Sequence, residues 1–82
     1  MQIEYLALND ISRLRKSVDP DGKWLSDEEL RKILAISGCE INRAVTRCFI
    51  GIQQKARIKN DMDGVRWARI QQNRFDAGVL QI

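Results

Sequence analysis

The sequence predicts an all-α protein: a small bundle of three to four helices, with a long third helix and a non-helical C-terminal tail. Three observations predict it. Apolar residues from Ile41 to Ala56 recur at intervals of three and four, the period of one helix face. Ser26-Asp27-Glu28-Glu29 spells out a helix start. The 82 residues include one Pro and five Gly, too few turn formers for a β-domain with many connections. The length fits one domain, 1–82, with its core expected in 9–58 and a peripheral helix and tail in 59–82. A core that small is thin, so partners or further copies can supply part of the stability.

Taken in order, residues 1–8 read as an extended lead-in. Asn9-Asp10 offers an N-cap for a short helix with Ile11, Leu14 and Val18 at helical spacing, and with Arg13, Arg15 and Lys16 on its other sides. Val18-Asp19-Pro20-Asp21-Gly22 is a turn, because Pro20 restricts the residue before it and Gly22 tolerates positive φ. The next helix begins with a capping box. Ser26 accepts from the Glu29 amide, Glu29 reaches back, and Leu25 serves as a hydrophobic staple. Asp27, Glu28 and Glu29 lie at the positive end of its dipole. Leu30, Ile33, Leu34 and Ser37 form the buried stripe, Arg31 and Lys32 face solvent, and Gly38 ends the helix.

The third helix, about 40–59, is the expected spine of the core. Ile41, Ala44, Val45, Cys48, Phe49, Ile52 and Ala56 make its stripe. Arg43, Arg47, Gln54, Lys55 and Arg57 lie off it. Asn60-Asp61-Met62-Asp63-Gly64 breaks the pattern. A weaker fourth helix follows, with Asp63 as its cap, Val65, Trp67, Ala68, Ile70 and Phe75 as its apolar positions, and Ala77-Gly78 as its end. The apolar tail Val79-Leu80-Gln81-Ile82 either adds to a neighbour's surface or folds back on its own core. The turns at 19–22 and 61–64 share the pattern Asp-x-Asp-Gly, although their flanks do not match.

Apolar runs are a few residues long, against about 20 needed to span a bilayer, so no membrane contact is expected. Met1–Leu6 lacks the basic stretch and long apolar run of a secretory signal. Net charge is +3, unevenly spread. Residues 1–40 hold 6 basic and 8 acidic side chains (−2), and residues 41–82 hold 8 basic and 3 acidic (+5). Such asymmetry suits nucleic acid, and equally suits head-to-tail packing of identical subunits. Cys39 and Cys48, nine residues apart, face different sides of any shared helix and read as small buried or half-buried hydrophobes.

Ser17, Asp19, Asp21, Gly22 and Glu28 fall on the register of a calcium-binding EF-hand loop. The first position is Ser17 where a carboxylate is normal, Pro20 stiffens the loop, and Glu28 already suits a helix start. The second Asp-rich turn has Ile70 where the twelfth-position acid would be. A helix-opening acidic turn is therefore the expected role, without a cofactor. The two cysteines, with no His anywhere in the chain, make a zinc site improbable, and no Ser-His or Cys-His pair can form. An enzyme is not expected. Nucleic acid is the stronger competitor. Arg43, Arg47, Lys55, Arg57, Lys59, Arg66, Arg69 and Arg74 can meet phosphates, and Trp67 and Phe75 can stack on bases. The same two aromatics serve more often as core or interface anchors. The segments 27–37 and 40–58 meet at a tight junction like that of a helix-turn-helix. The first turn of its second helix, Glu40-Ile41-Asn42-Arg43, has a mixed face that argues against specific reading of DNA.

Two stretches resemble a known family. Leu14-Arg15, Val18-Asp19-Pro20-Asp21 and Leu25-Ser26-Asp27-Glu28-Glu29-Leu30 with Leu34, followed by Asn42-Arg43-Ala44, Cys48 and Ile52, look like the small head–tail connector (head-completion or adaptor) proteins of tailed phages. The resemblance covers about residues 10–58; the chain is shorter than most members, and 59–82 match nothing in the family. It implies a virion structural protein, made in the host cytoplasm and assembled at the head–tail junction. There a ring of identical subunits would join the portal protein to a tail or stopper protein and extend the DNA channel. It further implies that Asp27, Glu28 and Glu29 of one copy meet Arg43, Arg47 and Lys55 of the next. Arg57, Lys59, Arg66 and Arg69 would face passing DNA without reading it. Trp67, Phe75, Val79, Leu80 and Ile82 would dock on a partner. The alternative reading is a small nucleic-acid-binding regulator, and a weaker third is a helical protein-interaction module.

Overall fold

The computed structural model describes the backbone of residues 2–79 and the side chains of residues 10–79. Four helices follow one another: α1 (Gln2–Val18), α2 (Asp27–Ile36), α3 (Ile41–Ile58) and α4 (Met62–Asp76). The all-helical bundle expected from periodicity is what forms. Helices α1 and α2 pack on each other and on α3, and α4 packs along α3.

The first helix departs from expectation. Residues 2–8 are helical, and Asn9-Asp10 lies inside α1 as ordinary helix. A capping residue marks where a helix can begin, but it does not stop one already running. Gln2–Leu8 holds no Gly or Pro and includes Glu4, Leu6, Ala7 and Leu8, all strong helix formers. Asp10 instead pairs with Arg13 one turn on, at 3.6 Å.

The start of α2 is as read. The Ser26 hydroxyl accepts from the Glu29 amide at 3.1 Å and the Glu29 carboxylate accepts from the Ser26 amide at 3.0 Å. Leu25 and Leu30, at the two staple positions, are both buried. Three helices end alike. A residue with positive φ follows the last turn, Gly38, Asn60 or Gly78, and the next amide bonds back to a carbonyl five residues earlier: Cys39 to Leu34, Asp61 to Ala56, Val79 to Arg74. These are Schellman closures, which satisfy carbonyls that helix ends otherwise leave open. Val79 follows the end of α4, outside the helix, and Leu80 and Ile82 lie outside the described residues.

Helix α3 is the spine. Ala44, Val45, Cys48, Phe49, Ile52 and Ala56 are buried along one face. They meet Ile11, Leu14 and Val18 of α1, Leu30 and Leu34 of α2, and Trp24 and Leu25 of the connection. Burying each of the large side chains contributes about 1.5–3 kcal/mol. The core does not stop at residue 58. Val65 and Ala68 of α4 belong to the same buried cluster, and Phe75 packs against it. A connection of only three residues forces α4 to fold back along α3, so its apolar stripe is added to the spine.

Asp61 caps α4, its Oδ1 accepting from the Gly64 amide at 2.9 Å. The expected cap, Asp63, lies within the first turn and pairs with Arg66 at 3.7 Å. The closure over Asn60 starts the helix two residues earlier than the sequence pattern suggested, with its cap at Asp61 instead of Asp63. Gly64, read as a breaker, is therefore buried inside the helix.

Candidate functional site

The acidic turn is organised by Asp19. Its side chain is buried, and its two oxygens accept from the backbone amides of Lys23 (2.9 Å), Trp24 (2.9 Å) and Leu25 (2.8 Å) and from the Arg15 guanidinium (3.2 Å). Oδ2 takes three of the four donors and Oδ1 takes the Lys23 amide. The oxygen that the EF-hand register would offer to a cation is thus engaged in holding the turn. Arg15 also donates to the Leu25 carbonyl (2.5 Å) and to Asp27 (2.7 Å), tying α1 to the start of α2. Among the described residues, no three His, Cys, Asp or Glu side chains are grouped to hold a metal ion.

The two Asp-x-Asp-Gly turns, 42 residues apart in sequence, face each other across one open cleft of about 550 Å³. Trp24 and Trp67 supply its apolar surface, and Asp21, Asp61 and Asp63 its acidic rim, with Lys23 the one cation among its lining residues. Gly64 makes the approach possible. A β-carbon there would come within 2.8 Å of the Trp24 indole. Trp67 rests edge-on against Phe49, with ring centroids 6.4 Å apart and planes at 75°, while about a third of it (36%) stays exposed. Trp24 already carries ammonium groups, Lys23 at 5.0 Å and Lys59 at 5.5 Å from its ring centroid. Among the described residues no such cation lies over Trp67.

The acids at the start of α2 have partners within the chain. Asp27 pairs with Arg15, Glu28 with Lys32 at 3.7 Å, and Glu29 with Lys55 of α3. Lys55 also donates to the Trp24 carbonyl at 2.7 Å, so it pins the connection before α2 onto α3. The hydrogen bond from Lys55, helped by the Ser26 amide, holds the Glu29 carboxyl below its ordinary value of 4.5. Arg43 pairs with Glu40 at 3.1 Å. Arg47 stands exposed on the outer face of α3, with no carboxylate within 4.0 Å among the described side chains.

The residues expected to face DNA are all at the surface: Arg57, Lys59 and Arg69 without carboxylate partners among the described residues, and Arg66 paired with Asp63. Of the docking candidates, Trp67 borders the cleft, Phe75 is half-buried on the core, and Val79 is exposed. Ile70, grouped with the apolar positions of α4, points outward with 48% of its surface exposed. The cysteines part company. Cys48 is buried, and burial pushes its thiol up to about 12. Cys39 is exposed, at φ 60° just beyond α2, because the Schellman closure at Gly38 turns it away from the core.

Trp24 was the residue missed. Nothing in its local pattern marks it, since its role comes from contact with Gly64. The available signal was the repeated Asp-x-Asp-Gly turn. Comparison of the chain with protein-family models, with curated proteins and with solved structures returns no match.

Proposed function

We propose that the protein is a structural subunit of a tailed-phage head–tail connector ring, joining portal to tail and extending the DNA channel. The observation that carries this reading is the separation of unlike charge on one small surface. An acidic, tryptophan-lined cleft lies at the turn between α3 and α4, and exposed Arg43 and Arg47 lie on the outer face of α3. Unlike patches on one chain favour heterologous, head-to-tail contacts, which close into rings when the rotation permits. The resemblance across residues 10–58 supplies the biological setting: a virion protein with portal and tail proteins as neighbours and DNA passing close by. The chain offers no histidine, and its buried thiol is held protonated, so the reading assigns it no catalysis.

Native mass spectrometry and light scattering of the protein, alone and with portal protein, test this. A closed ring of many copies or a stoichiometric portal complex is the expected result. A monomer that ignores portal at every concentration overturns it.

Arg57, Lys59 and Arg69, exposed and without carboxylate partners among the described side chains, favour a second reading, a small nucleic-acid-binding regulator. That reading requires duplex binding whose affinity falls steeply and log-linearly with salt.

A further inference from the structure

We infer that the cleft between the two Asp-x-Asp-Gly turns is the socket for a second copy of this chain, and that the Arg43–Arg47–Ile50 stripe of α3 is what enters it. The inference rests on the self-assembling reading above and names its joint. The family-derived expectation put the acids of 27–29 in that joint, but Asp27 and Glu29 are held by Arg15 and Lys55 of their own chain, and Glu28, which holds only the surface residue Lys32, has no exposed indole described beside it. Asp21 and Asp63 combine spare capacity with a place beside Trp67 in the cleft. Asp21 is exposed, with no cation within 4.0 Å among the described side chains. Asp63 is exposed and holds only the surface residue Arg66.

The cleft's chemistry selects its occupant. An indole face bordered by carboxylates suits a guanidinium, which stacks on the ring and pairs with the acids in one pose. It repels nucleic acid. Trp67 has an exposed surface and no cation of its own chain over it among the described residues. The stripe on α3 has the complementary form. Arg43, Arg47 and Ile50 follow spacings of four and three, share the solvent side of the helix, and are all exposed, with Arg43 holding only the surface residue Glu40. Two arginines meet the acidic rim, and an isoleucine meets the tryptophan surface.

Position makes the contact intermolecular. Arg47 precedes Asp61 by 14 residues, nearly all of them helical, a separation of about 21 Å along α3. A copy therefore cannot fill its own socket with this stripe. Socket and stripe lie on different parts of the surface, so each copy can give and receive at once.

Two variants separate the halves. Asp21→Lys with Asp63→Lys reverses the socket rim without touching the structural acids Asp19 and Asp61. Arg43→Glu with Arg47→Glu reverses the stripe. Circular dichroism and urea unfolding check that both fold. Self-association is then followed by sedimentation and native mass spectrometry from micromolar to millimolar protein, with and without portal. Each variant alone is expected to associate about tenfold or more weakly than the parent chain. An equimolar mixture is expected to regain assembly with the two chains in alternation, since the sound stripe enters the sound socket and the reversed stripe meets the reversed socket. The chain carrying all four substitutions is expected to regain assembly. Variants that assemble like the parent chain overturn this joint and leave the ring reading standing. A parent chain that stays monomeric even with portal overturns both.

Discussion

The indole of Trp24 rests on the α-carbon of Gly64, joining the connection between α1 and α2 to the first turn of α4. A β-carbon at Gly64 would lie 2.8 Å from Cζ2 and 2.9 Å from Cη2 of a ring that is itself buried. Gly64→Ala is therefore expected to destabilise the fold by about 1–3 kcal/mol, the usual range for overpacking. Gly51→Ala is the contrasting control. Its β-carbon would meet only Leu25 Cδ2, at 4.0 Å, and removing a mid-helix glycine should stabilise by about 0.5–1 kcal/mol. Urea unfolding of both variants reads the opposite signs.

Asp19 is the second point on which the fold turns. Asp19→Ala would leave the amides of Lys23, Trp24 and Leu25 without their acceptor and Arg15 without one of its partners. We expect a loss of about 2–5 kcal/mol, enough to unfold much of so small a domain at 37 °C. Calcium added to the parent chain should leave its urea midpoint unchanged, because the Asp19 oxygens are already taken. A calcium-dependent rise in that midpoint would contradict this account of the turn.

Glu29 predicts a pH dependence. Lys55 first, and the Ser26 amide second, lower its folded pKa below the ordinary 4.5. The unfolded chain therefore takes up a proton at higher pH than the folded one. The stabilisation is complete above 4.5 and declines as pH falls through the lowered folded value. Glu29→Gln should lower the urea midpoint at neutral pH and flatten the acid limb. Lys55→Met should flatten it too, and a carboxyl titration by NMR should show the Glu29 transition moving back up.

The two thiols should differ in reactivity. The thiolate is the reactive form, and Cys48 is both inaccessible and raised to about 12. A disulfide reagent at pH 8 is expected to modify Cys39 at once and Cys48 only at the rate of unfolding. Cys39→Ser should remove the fast phase, and urea should merge the two phases.

Local signals in the sequence carried much of this fold. The capping box at Ser26–Glu29 and the stripe from Ile41 to Ala56 are short-range patterns, and each formed where it was read. The misplaced boundaries have a common cause. The start of α1 and the cap of α4 were assigned from local capping residues, Asn9-Asp10 and Asp63. Helix continuation from Gln2 and the closure over Asn60 outweighed them. Val65 and Ala68 were legible as apolar positions of α4, but their place in the core beside α3 depends on α4 folding back along it.

The candidate site divides in the same way. The sequence by itself determined its ingredients: three to four helices, acids and arginines in these positions, two Asp-x-Asp-Gly turns, and no histidine. Those follow from composition and from periods of three and four residues, which the chain carries locally. Only the tertiary structure decided which charges meet. It paired Glu29 with Lys55, enclosed Asp19 among amides, and set Asp61 and Asp63 of the basic half beside Asp21 of the acidic half, around two tryptophans. Contacts such as Glu29–Lys55, 26 positions apart, and Trp24–Gly64, 40 apart, depend on how helices pack, and a one-dimensional pattern does not contain that geometry.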